Sequence, residues 1–186
     1  MQIVTAARAQ FMRYGYAKTT MGDIAAEAGV SRQTLYNMFA NKVEVMRVVV
    51  RCAGETSLQQ ITAAWGDATT LDEKLALFQT LGPVAWYQEI RSAPDWADLM
   101  EGMHAAATEE MAQMERVWRD RFVKLFAQYA PGQTAGALQE TADFFYMASL
   151  NAKHGATDLA HLKRRLDTTR KATLALLQAD AELATH

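Results

Sequence analysis

The sequence predicts an all-α protein, and three observations carry that prediction. Apolar residues recur at spacings of three and four along the chain, which is the period of an amphipathic helix. Half of the 186 residues are hydrophobic, helix-favouring Ala, Leu, Met and Gln are frequent, and Pro occurs only three times. We find no β pattern, internal repeat or low-complexity segment in the sequence. We therefore expect about nine helices and no sheet.

The first helix is predicted over residues 2–14. Its apolar side chains recur at helical spacing, and they are Ile3, Val4, Ala7, Phe11 and Met12. Gly15 ends this run. We expect Phe11 to anchor the helix against the two helices that follow.

Two short helices joined by a tight turn are predicted within residues 19–42, TTMGDIAAEAGVSRQTLYNMFANK. The first begins at Thr20 or Met21, and both Thr19 and Thr20 are good N-cap residues. Gly29 lies where the chain turns, and a positive φ is cheap there only for Gly. Ser31 is a natural N-cap for the second helix, residues 32–38. This is the layout of a DNA-binding helix-turn-helix, whose second helix enters the major groove.

Polar residues of the second helix suit that interpretation. The small core of the motif is predicted to consist of Ile24, Ala25, Val30, Leu35 and Phe39. Arg32, Gln33, Tyr36 and Asn37 then fall on other faces of the helix, where such side chains can contact bases and phosphates. The alternative is a short amphipathic hairpin of a helical core, with its polar residues merely solvated.

Six further helices are predicted in the rest of the chain. Asn41 is a plausible N-cap for a long helix to about Trp65, and Thr70 with Glu73 forms a capping-box pattern that begins the next. We expect Gly82-Pro83 to end that helix and Pro83 to begin a short one. A long helix should cover residues 95–129, with an irregularity near Gly102, and end before Pro131-Gly132.

The last two helices are predicted over residues 134–154 and from Thr157 or Asp158 onwards, with Gly155 between them. Small residues in the first of the pair would permit close helix approach, so the pair could form half of an intermolecular four-helix bundle. An ordinary intramolecular hairpin is the alternative, and periodicity does not choose between the two.

Charge is distributed unevenly. Residues 1–50 carry six Lys and Arg against three Asp and Glu, a net charge of +3, so the other residues carry −5 of the total of −2. A basic first quarter on an acidic body is typical of a small nucleic-acid-binding module attached to a larger domain. No apolar run of about 18 residues predicts a membrane span, the N-terminus lacks the apolar core of a signal peptide, and Cys52 has no internal disulfide partner. We expect a cytoplasmic protein.

An enzyme is not predicted. His104, His154, His161 and His186 lack the spacing of metal ligands, and the sequence shows neither a glycine-rich phosphate loop nor a nucleophile elbow. We therefore predict no catalytic residue, metal or cofactor. A helical scaffold for a protein partner is a further alternative, for which the basic run 163–165 could serve, although such a run is more often a solvated helix face.

An aromatic and Met-rich set in the body suggests a pocket for an apolar or aromatic ligand, because thioethers and flat rings adapt to such molecules. Its members are Trp86, Tyr87, Trp96, Met100, Met103, His104, Met111, Trp118, Phe144, Phe145 and Met147. Residues of these types at helical spacing are more often plain core, so the pocket depends on their collective excess.

The chain resembles the TetR family of bacterial transcriptional regulators over residues 3–50. Three motifs carry the resemblance: Ala6-Ala7 with Phe11, Gly15 and Tyr16; TTMxDIAxxAGVS from Thr19 to Ser31; and TLYxxFxxK from Thr34 to Lys42. The resemblance implies a DNA-binding domain over residues 1–45 and a helical ligand-binding and dimerisation domain over 46–186. It also implies a homodimer built on the last two helices, a palindromic double-stranded DNA operator, and repression relieved by a small molecule.

The resemblance also implies roles for particular residues. Thr19 and Thr20 would lie near a DNA phosphate, and Lys42 would hold the phosphate backbone. The groove-facing residues would be Ser31, Gln33, Thr34, Tyr36 and Asn37, with Arg32 a further contact to a base or phosphate. Two departures are visible. Met38 stands where the family often has His, and the chain begins almost at the first helix, without the basic arm of many members, so we expect weaker binding or less dependence on the minor groove.

Overall fold

The computed structural model describes the backbone of residues 2–183 and the side chains of residues 2–178. Within that range the protein consists of helices and connecting turns, with no strand. The elements are α1 Gln2–Tyr14, α2 Met21–Glu27, α3 Arg32–Met38, α4 Lys42–Ala64, α5 Leu71–Gln79, a π-helical segment Thr80–Val84, α6 Ala85–Ser92, α7 Trp96–Tyr129, α8 Ala135–Asn151 and α9 Leu159–Leu183. The all-α prediction is confirmed.

Contacts divide the chain into two compact units. The head unit comprises Met1–Thr56 and Gln88–Met114, and the body unit comprises Ser57–Tyr87 and Glu115–His186. Helices α4, α6 and α7 therefore contribute residues to both units. The head unit contains the three N-terminal helices together with a segment far away in sequence, an association that local sequence patterns do not indicate.

The prediction that Gly82-Pro83 ends a helix is wrong. The chain continues from α5 through the π-helical segment into α6, and the Ala85 N–H donates to the carbonyl oxygens of Thr80 and Gly82. Pro83 is buried inside this segment. Because a proline has no N–H, it disrupts the regular hydrogen-bond register of an α-helix, and the wider π turn accommodates that change.

The irregularity in α7 lies at Ala107 and not near Gly102. Ala107 has φ −127° and ψ 29°, outside the helical region, whereas Gly102 is helical and buried. A Cβ atom at Gly102 would lie 2.3 Å from Cγ of Tyr16. This glycine therefore serves a close approach between α7 and the segment after α1, both in the head unit.

A cluster of aromatic rings forms the core of the body unit. Phe78 lies at its centre, with ring centroids 4.8 Å from Phe122, 4.9 Å from Trp118 and 5.6 Å from Phe145. The cluster consists of Trp65, Phe78, Trp118, Phe122, Phe126, Phe145 and Tyr146, all of them buried. Burial also raises the pKa of the Tyr146 hydroxyl, with the nearby Glu115 charge adding to the effect. Helices α5, α7 and α8 are thereby packed together.

Candidate nucleic-acid interface

The start of α2 is held by a reciprocal capping box. The backbone N–H of Asp23 donates to Oγ1 of Thr20 at 3.2 Å, and the backbone N–H of Thr20 donates to Oδ2 of Asp23 at 2.9 Å. Hydrogen bonds from the Thr20 hydroxyl and backbone lower the pKa of the Asp23 carboxyl. Of the two N-cap candidates, Thr19 and Thr20, the structure shows Thr20 as the cap, and the segment from Thr20 to Asp23 has a fixed geometry.

The turn between α2 and α3 has the geometry that the sequence predicts. Gly29 has φ 65°, and the Val30 N–H donates to the Ala25 carbonyl at 3.0 Å. Ser31 caps α3, since its Oγ accepts from the Thr34 backbone N–H at 3.0 Å. Both the turn glycine and the cap are confirmed, so the direction of α3 relative to α2 is set by local interactions.

Helix α3 buries one residue and exposes all the others. Leu35 is 0% exposed, whereas Tyr36 is 52% and Met38 is 60% exposed. Gln33 and Asn37, two positions before and after Leu35, lie about 160° from it around the helix and are exposed. Arg32 and Thr34 are exposed as well. One anchored side chain and an otherwise free surface are what a helix needs in order to enter a DNA groove.

The most outward residues of α3 are linked to each other. Nε2 of Gln33 donates to Oδ1 of Asn37 at 3.0 Å, across one turn of the helix. This bond leaves the Gln33 carbonyl oxygen and the Asn37 amino group available to a partner. An amide side chain presents the donor and acceptor pattern that pairs with the edge of adenine in the major groove.

Arg32 and Met38 flank this surface. A Cβ atom at Gly22 would lie 2.7 Å from Nη2 of Arg32, so the guanidinium group rests against the backbone of α2. In the sequence, Met38 stands out only because it departs from the family motif. In the structure, its apolar side chain is widely exposed. An apolar side chain there can contact a thymine methyl group.

Thr19 and Lys42 lie at the two ends of the motif and are engaged internally. Thr19 is 1% exposed, and its hydroxyl donates to the Gly15 carbonyl oxygen at 2.7 Å. The Lys42 ammonium donates to the carbonyl oxygens of Tyr16, Ala17 and Thr19 at 2.7, 3.2 and 2.9 Å. The predicted phosphate contacts of these two residues stay predictions, and the structure adds intramolecular contacts that the sequence did not indicate.

The segment between α1 and α2 also contacts α7 within the head unit. Oδ2 of Asp98 accepts a hydrogen bond from the Ala17 backbone N–H at 2.9 Å. The Tyr16 ring packs against Gly102, and burial together with the Asp98 charge raises the pKa of the Tyr16 hydroxyl. Lys18 is only loosely paired, with its Nζ atom 3.6 Å from Asp95.

The residues predicted to line a ligand pocket do not form one group. Five of them belong to the head unit: Trp96, Met100, Met103, His104 and Met111. Trp96 and His104 are exposed, and the three methionines are half-buried. Nδ1 of His104 is 2.8 Å from the Met100 carbonyl oxygen.

The other six belong to the body unit and are Trp86, Tyr87, Trp118, Phe144, Phe145 and Met147. Trp118 and Phe145 are part of the aromatic core, and Tyr87 packs with Val84 and Leu162. Nζ of Lys153 lies 3.8 Å from the centroid of the Trp86 ring. Phe144 and Met147 are exposed on α8. The pocket therefore stays a prediction.

The described residues contain no group of three or more His, Cys, Asp or Glu side chains that could hold a metal ion, and His186 lies outside them. In the same range, the helices are too short or too polar to cross a membrane.

The fold and the exposed α3 define a helix-turn-helix protein. Residues 3–49 match the family model described as bacterial regulatory proteins, tetR family. TtgR of Pseudomonas putida, an HTH-type transcriptional regulator, is 42% identical over 55 residues, which are 30% of this chain and 26% of that relative. The match thus spans about a quarter of the relative's length.

Solved structures of the family extend the likeness over nearly the whole chain. SmeT, the repressor of a Stenotrophomonas maltophilia multidrug efflux pump, is 26% identical with a TM-score of 0.63, covering 94% of this chain and 87% of SmeT. SCO4454 of Streptomyces coelicolor, a TetR-family transcriptional regulator, is 19% identical with a TM-score of 0.63, covering 97% and 94%. Residues 3–49 therefore match the N-terminal domain of the TetR family, and the helices that follow share the fold of these solved structures.

Proposed function

We propose that this protein is a DNA-binding transcriptional repressor that binds a near-palindromic operator as a homodimer and is released by a small, largely apolar molecule. In this proposal, residues 1–45 form the DNA-binding domain, and residues 46–186 form the ligand-binding and dimerisation domain. The single observation that carries it is α3, a capped helix with one buried residue and a polar exposed surface.

The geometry of α3 supports the proposal that this helix makes the groove contacts. Gln33 and Asn37 point away from the buried Leu35, so they face the base edges when the helix lies in the major groove. Tyr36, with Thr34 on the other flank, can contact bases or phosphates. Ser31 and Thr20 are exposed at the starts of their helices, and Arg32 lies beside them for a phosphate or a base.

Exposed apolar residues on the last two helices support the proposed homodimer. Phe144 on α8 and Leu176 on α9 are each 41% exposed, and Met147 is 39% exposed. Large apolar side chains that stay exposed in one chain can be buried by the same face of a second copy in a two-fold interface. Such a dimer places its two recognition helices about 34–36 Å apart, one turn of DNA, which requires a near-palindromic site.

An apolar effector is supported by a relative. A complex of SmeT with triclosan has been solved, and that chain is 25% identical to this one with a TM-score of 0.62, covering 94% of this chain and 88% of that one. A ligand that favours a state with a different spacing of the recognition helices would release DNA by shifting the population between states. The proposal includes no enzymatic step.

DNA binding is tested by titrating the protein into a labelled fragment of its own upstream region at low salt and measuring fluorescence anisotropy. We expect a specific complex that Gln33→Ala and Tyr36→Ala each weaken by about tenfold or more, since a good base contact contributes about 1–3 kcal/mol. Tyr129→Ala is the matched control, because Tyr129 is similarly exposed but lies in the body unit. Equal effects of both tyrosine variants, or no complex at all, would contradict the proposal.

Dimerisation and effector release need their own measurements. Sedimentation of the wild type should give a dimer, whereas Phe144→Glu should give a monomer and Trp96→Glu, at an exposed site in the head unit, should not. Triclosan is the first effector probe. At about 100 times its dissociation constant a ligand stabilises the fold by about 2.7 kcal/mol, which a thermal-shift assay detects.

A further inference from the structure

We propose that Lys42 is a positioning residue, which ties the two ends of the helix-turn-helix together and does not bind a DNA phosphate. The proposal rests on the proposed DNA-binding function. It assigns to Lys42 a role that differs from the one implied by its place in the TLYxxFxxK motif.

The hydrogen bonds of the ammonium group are the first argument. A lysine ammonium has three N–H donors and no acceptor. In this structure they have three carbonyl partners, the oxygens of Tyr16, Ala17 and Thr19, all within 3.2 Å of Nζ. A phosphate could be bound only if one of these carbonyl oxygens lost its donor.

The Tyr16 ring is the second argument. Nζ of Lys42 lies 4.3 Å from the centroid of this ring, in cation–π geometry. The ring is held on its own account, because Tyr16 packs against Phe11 at 5.6 Å between centroids and against Gly102 of α7. The ammonium therefore lies in a prepared site made of three carbonyls and an aromatic face.

The place of Lys42 in the chain is the third argument. Lys42 is the first residue of α4, directly after the turn that follows α3, and Thr19 directly precedes the cap of α2. One side chain thus connects the end of the motif to its beginning, across 23 residues. Asn41 fixes the backbone beside it by accepting from the Glu44 N–H at 3.0 Å. Fixing both ends of the motif keeps α3 at one angle to the rest of the head.

Substitution by arginine separates the two roles. A guanidinium group binds phosphate at least as well as an ammonium, but its planar fork does not reproduce a compact contact with three carbonyls and a ring. We expect Lys42→Arg to lose about tenfold in operator affinity, equivalent to about 1.4 kcal/mol, and Lys42→Met to lose at least as much. Lys124→Met, at an exposed lysine of the body unit, is the control.

The salt dependence of binding is the second readout, measured at a temperature where circular dichroism shows each variant folded. Each lost phosphate contact lowers the slope of log K against log salt by about 0.9. Positioning predicts an unchanged slope in Lys42→Met. A Lys42→Arg variant with wild-type affinity, or a Lys42→Met variant with a reduced slope, would overturn the proposal.

Lysine acetylation of the wild type gives a test that does not depend on the folding of any variant. We expect mass spectrometry to show slow acetylation of Lys42 in the free protein and the same rate with operator bound, whereas Lys18, whose side chain is 75% exposed, reacts quickly. If Lys42 bound a DNA phosphate, its ammonium group would be acetylated quickly in the free protein and protected when the operator is bound. That result would refute the positioning role of Lys42. If no DNA binds, the proposed function fails, and the rate in the free protein still tests the site.

Discussion

On α3 the side chains of Gln33, Tyr36 and Asn37 are exposed, whereas at the ends of the motif the Thr19 hydroxyl and the Lys42 ammonium contact main-chain oxygens. The two regions contain similar residue types and differ in what surrounds them. On α3 the polar side chains bond within their own helix, as Gln33 does with Asn37. Between α1 and α2 the chain is irregular and leaves carbonyls to be satisfied.

This difference separates residues that carry specificity from residues that keep the motif in shape. A side chain that is exposed and bonded only within its own helix can be exchanged at small cost to the fold. A side chain that satisfies the main chain of another segment cannot, because its removal leaves buried polar groups unpaired. The following substitutions test this separation.

The largest effect is expected from neighbouring residues on α3. Leu35→Ala removes a side chain that is 0% exposed, and such a change costs about 2–5 kcal/mol. Tyr36→Ala should change the free energy of unfolding by only about 0.5 kcal/mol, while weakening specific DNA binding by about tenfold or more. Urea denaturation followed by circular dichroism compares the two. Similar destabilisation by both variants would show that α3 does not have a free face.

Gly102→Ala should have the next largest effect. The new Cβ would lie 2.3 Å from Cγ and 2.6 Å from Cβ of Tyr16, close to the backbone, so the loop itself must shift. Overpacking of this kind costs about 1–3 kcal/mol. Gly54→Ala is the matched control inside α4, since its nearest neighbour, at 2.8 Å, is the terminal methyl of the flexible Met114. Thermal melts should therefore give a lower melting temperature for Gly102→Ala than for Gly54→Ala. Equal melting temperatures would contradict this prediction.

Two threonines of the motif offer a smaller contrast. Thr19→Val keeps the shape of a buried side chain but removes the donor to the Gly15 carbonyl, a loss of about 1 kcal/mol. Thr34→Val removes only an exposed hydroxyl, 2.8 Å from that of Ser31, and the cap of α3 remains. The free energies of unfolding in urea should therefore rank Thr19→Val below Thr34→Val. The reverse order would show that Thr19 is not an internal anchor.

The smallest effect concerns pH and the capping box of α2. Because the folded state lowers the pKa of Asp23 below its usual 3.8, this carboxylate contributes stability above that pH and loses it as the pH falls through the folded-state pKa. The Asp23→Asn variant should therefore have a lower melting temperature than the wild type near neutral pH. The difference between the two melting temperatures should shrink in acid. Glu73→Gln provides the same comparison in α5, where hydrogen bonds from Thr70 and Thr69 lower the pKa of Glu73. A difference that does not change with pH would rule out the carboxylate as its source.

Much of the fold could be predicted from the sequence, since helix ends depend on neighbours within three or four residues. The caps at Thr20, Ser31 and Thr70 each use a backbone N–H three positions away, and Gly29 takes the positive φ expected of it. The failures were at Pro83 and Ala107. The sequence shows where a regular helix is disturbed, but whether it ends or changes pitch depends on how it packs.

The candidate DNA-binding site could be predicted only in part from the sequence. The ligand pocket could be predicted to a smaller extent. The burial of Leu35 and the exposure of the polar residues of α3 follow from its period, whereas the exposure of the apolar Met38 does not. The pocket residues were grouped by type, and the structure distributes them between a packed aromatic core, exposed helix faces and two units. Side-chain type alone does not reveal whether a ring fills a core or lines a cavity.

By itself, the sequence determined the helices, their caps, the turn at Gly29 and the residues that α3 exposes, since all of these depend on interactions within a few positions. Only the tertiary structure decided what Lys42, Thr19 and Tyr16 contact. Lys42 donates to carbonyl oxygens up to 26 positions away in the sequence, and Asp98 accepts from the Ala17 N–H, which lies 81 positions away. Which carbonyl is left to be satisfied depends on how an irregular loop folds against other helices, and no local pattern encodes that geometry.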